Sequence, residues 1–250
     1  MLSYILASLI GVSLGMLGSG GSILAVPILK YAAGLSAKEA VATSLATVGA
    51  VSLVGGLLAW REGRVAWKEA ALFGVVATGG TFLGVQVAKG LSDKVQMGIF
   101  VVVMAYAVFR MVKDNDSESE EADELEESGG GRFSAFLKAL MVGGLTGIVG
   151  VGGGFLIVPA LVALFGLPMK RATGTSLIVI FANCVMGTIT YSGSVEIDWK
   201  FTGLFSGAAV IGLVVGMVWS KAIPEARLKK IFAGLVALVC IYTAAQEFML

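Results

Sequence analysis

The sequence contains no histidine, only two cysteines and four prolines in 250 residues, and 14% of its residues are charged. Without histidine the chain lacks the most common general base and the most common transition-metal ligand, so a Ser-His dyad is excluded. Cys184 and Cys240 both lie inside apolar stretches, where small packing residues are the ordinary interpretation. We therefore expect no enzyme, no cofactor and no bound metal.

Polar residues are too few to cover a soluble body of this size. Hydrophobic residues make up 57% of the chain and its mean hydropathy is +0.91. A membrane-spanning helix needs about 20 mostly apolar residues. Such stretches occur at residues 3–32, 40–60, 70–88, 95–112, 134–165, 172–192, 201–220 and 229–246. We predict an all-α integral membrane protein that contacts the lipid bilayer, with no nucleic-acid partner and a homodimer as a possible assembly.

The chain contains an internal repeat with an offset of 132 residues (159 − 27 = 132). The glycine-rich segment 18–22 and Pro27 return as segment 150–154 and Pro159. The same offset, without a gap, pairs Thr43-Ser44-Leu45 with Thr175-Ser176-Leu177 and Trp67-Lys68 with Trp199-Lys200. Apolar halves that glycine and proline interrupt at matching places are typical of transporters whose substrate site lies between the halves.

An acidic stretch separates the two halves. Residues 114–132 hold a cluster of Asp and Glu followed by three glycines, and like charges in a cluster repel one another and bury nothing. We predict three parts: residues 1–113 as the first transmembrane repeat, residues 114–132 as a flexible linker, and residues 133–250 as the second transmembrane repeat.

The first apolar stretch of each half is too long for one ordinary span and carries its glycines in the middle. It is either a broken helix that crosses the membrane or a re-entrant hairpin that turns at the glycines. If it crosses, the 18 Lys and Arg divide 10 to 8 between the two faces; if it is re-entrant, they divide 13 to 5. The positive-inside rule favours the second arrangement, an inverted repeat with three spanning helices in each half. The linker would then be cytoplasmic and both termini outside, in the inner membrane.

Glycine turns at membrane depth must face protein or a water-filled cavity, so we expect the two turns to point inward and meet near the midplane. Each turn can restart a helix, whose first amides lack internal partners and carry the positive end of its dipole. Two such ends could bind a small oxyanion without a lysine or arginine. The candidate substrate-binding residues are Ser19, Gly20, Gly21, Ser22, Thr43, Ser44, Gly152, Gly153, Gly154, Thr175, Ser176 and Asn183.

The hydroxyls and the carboxamide in this set have a structural alternative, because such groups in membrane helices often bond their own backbone or a neighbouring helix. For the glycines inside the later spans, close helix packing is the expected role. These glycines are Gly55, Gly80, Gly84, Gly187, Gly212 and Gly216. Aromatic residues near the span ends predict an interfacial belt. They are Trp60, Trp67, Trp199, Trp219 and Tyr191.

The paired glycine motifs, the segments 40–45 and 172–177 that contain Thr-Ser-Leu, and the length of the chain resemble the sulfite exporter TauE/SafE family. The resemblance covers nearly the whole chain except the acidic linker. It implies a secondary carrier that moves small sulfur-containing anions, such as sulfite, sulfonates or sulfoacetate, out of the cytoplasm. Ser19 and Ser22 stand where the second motif has Val151 and Gly154, so the two parts of the site need not be equivalent.

Two other functions fit the same residues, namely a small-anion channel and a membrane assembly protein without transport. No Asp, Glu, Lys or Arg lies at the centre of an apolar stretch, and a side-chain proton relay needs at least one buried ionisable group. Coupling to protons would therefore use the acid form of the substrate or an end group such as Glu39 or Glu69.

Overall fold

The computed structural model describes the backbone of residues 2–17, 20–113, 132–219 and 225–248, and the regular structure in these residues is helical. The helices are α1 (Leu2–Leu17), α2 (residues 20–32), α3 (Ala37–Arg61), α4 (Trp67–Gly90), α5 (Asp93–Lys113), α6 (Arg132–Val149), α7 (Gly154–Phe165), α8 (Met169–Ser192), α9 (Trp199–Trp219) and α10 (Glu225–Phe248). The predicted linker, apart from Arg132, and the candidate residue Ser19 lie outside the described residues.

The order of helices repeats with the offset found in the sequence. Helices α3, α4 and α5 begin at residues 37, 67 and 93, and α8, α9 and α10 begin at residues 169, 199 and 225, which is 132 residues later in each case (169 − 37 = 132). The arm α2 differs from its counterpart α7, because it joins a 3-10 turn (Gly20–Leu24), a short α-helical piece (Ala25–Pro27) and a π turn (Ile28–Ala32).

The equivalent helices α3 and α8 pack side by side and run in opposite directions. A Cβ atom added at Gly49 would lie 3.1 Å from Cβ of Cys184, and one added at Gly55 would lie 3.2 Å from Cδ1 of Leu177. The neighbour on α8 thus moves towards its start as α3 advances. These two helices occupy the same place in the repeat, so equivalent helices of the two halves run in opposite directions here.

Each half also places its first helix against the fourth helix of the other half, α1 against α9 and α6 against α4. Eight glycines make these two seams, and a Cβ atom on any of them would overlap the backbone of the facing helix. They are Gly11, Gly15, Gly80, Gly84, Gly143, Gly147, Gly212 and Gly216. The predicted packing role is confirmed for the four of these in α4 and α9, and Gly55 and Gly187 press instead on leucine side chains.

The first apolar stretch forms a hairpin and not one continuous helix. The Ser3 hydroxyl donates to the carbonyl oxygen of Ala32 at 3.3 Å, at the open end of the hairpin. A Cβ atom on Gly21 would overlap the backbone of Ser13 and Leu14, near the closed end. The arm α2 therefore returns along α1, as the re-entrant alternative requires.

Among the described residues, four helices are long and apolar enough to cross a membrane, namely α3, α4, α8 and α9. The third crossing predicted for each half, α5 or α10, is not one of these four, and the side chains of residues 110–113, 225–232 and 248 in these two helices are not described. Of the four, α3 and α8 are the most buried, with 67% and 56% of their most apolar stretches buried in the protein. The pair α3 and α8 therefore forms the centre of the helical bundle.

Candidate functional site

The glycine turn of the second half is held in a conformation that favours glycine. Gly150, Gly152 and Gly153 have φ angles of +76°, +71° and +69°, where a side chain would be strained. A Cβ atom at Gly150 would lie 2.6 Å from Cγ1 of Val41, and one at Gly152 would lie 2.8 Å from Cγ1 of Val48. The turn is therefore pressed against α3, a helix of the first half.

Gly152 lies beside the middle of the central helix pair. Besides Val48, a Cβ atom there would meet Cγ2 of Ile180 at 3.2 Å and Sγ of Cys184 at 3.5 Å. The 3-10 turn Gly20–Leu24 of the first arm contacts α7, and its residues Gly21 and Ser22 are buried. The glycine-rich start of the first arm thus lies against the helix that follows the second glycine turn, in the interior of the bundle.

The start of α7 presents backbone amides that have no backbone partner outside the helices among the described residues. Its N-cap residue is Gly153, which supplies no side-chain cap. Among the described residues, no backbone hydrogen bond outside the helices uses the amide of Gly152, Gly153 or Gly154 as a donor, although the carbonyl of Gly153 accepts from Leu156 and Ile157. Unpaired amides at the positive end of a helix dipole attract negative charge. This end of α7 can bind an anion.

Two buried side chains support the helix end that precedes this turn. Gln96 Nε2 donates to the carbonyl oxygen of Ile148 at 2.8 Å and to the Tyr191 hydroxyl at 3.1 Å, and that hydroxyl donates to the carbonyl of Gly147 at 3.4 Å. Both Gln96 and Tyr191 are 0% exposed. The prediction that Tyr191 belongs to an interfacial belt was wrong, because its buried hydroxyl donates to the Gly147 carbonyl in the last turn of α6, where carbonyls lack partners within the helix.

Of the four candidate hydroxyls in segments 43–44 and 175–176, three bond to backbone groups. Ser44 donates to the carbonyl of Gly150 at 2.8 Å, and so attaches α3 of the first half to the turn of the second half. Thr175 accepts a hydrogen bond from the amide of Ala66 at 2.9 Å, and Ser176 donates to the carbonyl of Thr173 at 2.8 Å. Thr43, the fourth, is 3% exposed. These bonds fix the turn and the ends of helices, and they leave the amides as the main donors of the site.

Two further buried groups have unused hydrogen-bonding capacity. Asn183 is 0% exposed; its Oδ1 accepts from the Thr78 hydroxyl at 3.0 Å, and its Nδ2 has no partner among the described residues. Ser52, which the sequence analysis did not single out, is also 0% exposed with an unpaired Oγ. The signal that could have identified Ser52 is its repeat position, because it is the counterpart of Cys184 beside Gly152.

An ion pair that the sequence did not predict attaches the first arm to the last helix. Lys30 on α2 pairs with Oε1 of Glu247 on α10, and the side chains are 17% and 11% exposed. The Tyr31 hydroxyl donates to the same oxygen at 2.8 Å. The counterparts of Lys30 and Tyr31 in the second half are Val162 and Ala163, so the two arms are attached differently.

Comparison with known proteins identifies the family. The family "Sulfite exporter TauE/SafE" matches residues 3–243. The chain belongs to the TauE/SafE family. A "Probable membrane transporter protein" of Xylella fastidiosa (strain 9a5c) is 30% identical over 237 residues, which cover 94% of this chain and 90% of that protein. The "Probable membrane transporter protein YunE" of Bacillus subtilis (strain 168) is 25% identical, over 98% of this chain and 97% of that protein. No solved structure matches the chain.

The match covers both halves of this TauE/SafE protein, with both glycine-rich segments and the central helices α3 and α8. The expected resemblance is therefore confirmed. The protein is a membrane transporter of this family, and its glycine turns lie within the part of the chain that the family shares.

Proposed function

We propose that this protein is a secondary transporter that moves small sulfur oxyanions, of the sulfite, sulfonate or sulfoacetate type, out of the cell across the cytoplasmic membrane. The family to which it belongs supports the substrate class, since it is described as a family of sulfite exporters. The observation that carries the proposal is the turn at Gly152, whose unpaired amides lie beside the middle of the central helices. A buried positive helix end suits an anion and needs no charged side chain.

In this proposal the anion lies between the two arms. It accepts hydrogen bonds from backbone amides of residues 20–22 and 152–154, with the Asn183 amide and the Thr43 hydroxyl as further donors. Ser44, Thr175 and Ser176 keep the turn and helix ends in place through the backbone bonds described above. The interior charge is then supplied by the substrate itself, which accounts for the absence of ionisable residues at the centres of the apolar stretches.

We further propose that the halves are inverted repeats that exchange conformations during alternating access. Support comes from the opposite directions of the equivalent helices α3 and α8, because a two-fold axis perpendicular to the helices produces that relation. The same axis would place the loop after α3 on one face of the membrane and the loop after α8 on the other. With the linker in the cytoplasm and both termini outside, the arginine-rich loop after α3 faces the cytoplasm, as the positive-inside rule expects.

Flux through the purified protein in liposomes tests the function. Vesicles loaded with unlabelled sulfite, and separately with methanesulfonate, should accumulate the labelled anion transiently by counterflow, and initial rates should saturate with concentration. A channel would conduct faster and give no counterflow. A membrane assembly protein would give no flux of any of these anions, and that result would refute the proposal.

A bulky side chain beside Gly152 tests the position of the site. Val48 is 0% exposed and touches the Gly152 position, whereas Leu53 on the same helix is 39% exposed. We expect Val48→Phe to abolish saturable uptake while the protein still inserts and runs as a single species in gel filtration. The matched control, Leu53→Phe, should transport normally. Normal uptake by correctly folded Val48→Phe protein would place the anion elsewhere.

A further inference from the structure

The halves meet at two equivalent interfaces, α3 with α9 and α8 with α4. The pairs of polar side chains in these two interfaces lie at different positions. Where α3 packs on α9, the Ser206 hydroxyl donates to the Thr47 hydroxyl at 3.3 Å. At the corresponding place between α8 and α4, a Cβ atom added to Gly74 would lie 3.6 Å from Cγ2 of Val179, an apolar contact. This difference shows that one polar pair has no counterpart in the other interface.

One helical turn further along, the arrangement is reversed. Between α8 and α4, the Thr78 hydroxyl donates to Oδ1 of Asn183 at 3.0 Å, and the positions that correspond to these two residues are Val210 and Val51. The polar pair at this level therefore belongs only to the interface beside the second glycine turn. The repeat architecture does not require it, since both equivalent positions in the other half of the repeat are valines.

The bond from Thr78 occupies the oxygen end of the Asn183 amide. With Oδ1 occupied, the unpaired end is Nδ2, which has two N–H donors and is buried. A buried donor without a partner costs free energy, so its retention points to a ligand that accepts its hydrogen bonds. Asn183 is next to Cys184 and one helical turn from Ile180, the two α8 side chains that touch the Gly152 position.

We infer that Thr78 is a positioning residue for the anion site: its hydroxyl, supplied by the first half, orients the Asn183 amide of the second half so that the N–H donors and not the carbonyl oxygen face the substrate. This inference rests on the proposed function, because it assumes an anion at the Gly152 turn. A free carbonyl oxygen in that place would repel an anion, so the orientation of one amide contributes to selectivity for negative charge.

Kinetics of Thr78 variants test the inference, with methanesulfonate and sulfite as the probes in the liposome assay. Thr78→Val keeps the shape of the side chain and removes the donor. We expect it to raise KM for both anions about tenfold with kcat nearly unchanged, which corresponds to a loss of about 1.4 kcal/mol in binding. Thr78→Ser retains the hydroxyl and should restore KM to within about threefold of the unmodified protein.

Two controls separate positioning from a merely structural role. Thr47→Val removes the hydroxyl from the other polar pair and should leave KM unchanged. Asn183→Leu should raise KM at least as much as Thr78→Val, and the double variant should be no worse than Asn183→Leu alone, because both changes remove the same interaction.

The outcomes distinguish the two proposals. If the unmodified protein transports neither probe, the proposed function and this inference both fail. If it transports them and folded Thr78→Val has the KM of Thr47→Val, or if the Thr78 and Asn183 effects add, only the positioning role is overturned. Should Thr78→Val fail to fold, the comparison of Thr78→Ser with Thr78→Ala decides in the same way.

Discussion

The adjacent glycines Gly79 and Gly80 allow a test of the seam between α4 and α6. A Cβ atom on Gly80 would overlap the carbonyl oxygen of Leu140 and lie 3.0 Å from the amide nitrogen of Gly144, whereas a Cβ atom on Gly79 would meet nothing within 4 Å. Alanine at Gly80 therefore requires the two helices to move apart by about 1 Å, since unstrained carbon contacts are about 3.5–4.0 Å. Backbone atoms on the facing helix cannot rotate away.

The magnitude follows from two opposing effects. Overpacking of this kind costs about 1–3 kcal/mol, whereas Gly→Ala in a helix interior gains up to about 1 kcal/mol. Both substitutions gain helix propensity, so we expect Gly79→Ala to be neutral or slightly stabilising and Gly80→Ala to be less stable than Gly79→Ala by about 1–3 kcal/mol. For a chain of this size, 1 kcal/mol shifts the melting temperature by about 2–4 °C, so Gly80→Ala should melt about 2–12 °C below Gly79→Ala.

The assay is thermal unfolding of the purified protein in one detergent, followed by circular dichroism for both variants and the unmodified protein. Gly212 is the repeat counterpart of Gly80, and a Cβ atom there would overlap the backbone of Ser8. Gly212→Ala should therefore show the same loss. Equal melting temperatures for Gly79→Ala and Gly80→Ala would refute the reasoning, because the seam would then tolerate a methyl group.

Three further predictions concern the contacts that attach the arms and the orientation of the halves. Glu247→Gln leaves Lys30 partly buried without its carboxylate, so we expect the free energy of unfolding to fall by about 1–3 kcal/mol, between the values for exposed and buried pairs. Lys30→Met combined with Glu247→Gln should recover part of this stability. Additive shifts in melting temperature for the two substitutions would contradict the pairing. Ser44→Ala removes the donor to the Gly150 carbonyl and should cost about 1–3 kcal/mol by the same melting assay, whereas the exposed Ser192→Ala should have little effect. The orientation of the halves can be tested with Glu62→Cys and Ser194→Cys, which occupy equivalent exposed positions. In a background without Cys184 and Cys240, a membrane-impermeant maleimide added to intact cells should label only Ser194→Cys. Labelling of both variants from one side would exclude an inverted arrangement.

The repeat and the hairpins could be predicted from the sequence because both depend on local features. Glycine and proline interrupt each first apolar stretch at matching positions, and the distribution of Lys and Arg distinguished a hairpin from a crossing helix. Packing glycines were predictable for the same reason, since small residues in an apolar helix permit close approach of backbones.

The partners of the polar side chains could not be predicted in this way. Ser44 bonds a carbonyl 106 residues away, and Lys30 pairs with a carboxylate 217 residues away, so neither partner is visible in a local pattern. The prediction for Tyr191 was wrong for a related reason. The sequence around a tyrosine near the end of a span does not show whether its side chain faces lipid or a neighbouring helix. Burial decides between these cases, and burial depends on the tertiary packing.

Comparison of the two halves distinguishes the residues that pack the helices together from the residues of the proposed site. The seam glycines are identical in both halves, because a side chain at any of them would overlap a facing backbone. The buried polar residues differ: Asn183 corresponds to Val51, and Thr78 to Val210. An arrangement of two equal halves would produce two equal anion sites, one at each turn. Among the described residues, the unpaired amide nitrogen of Asn183 lies near the second turn, and its counterpart in the first half is Val51. The proposed site is therefore one-sided, and we expect the anion to bind closer to Gly152 than to Gly20.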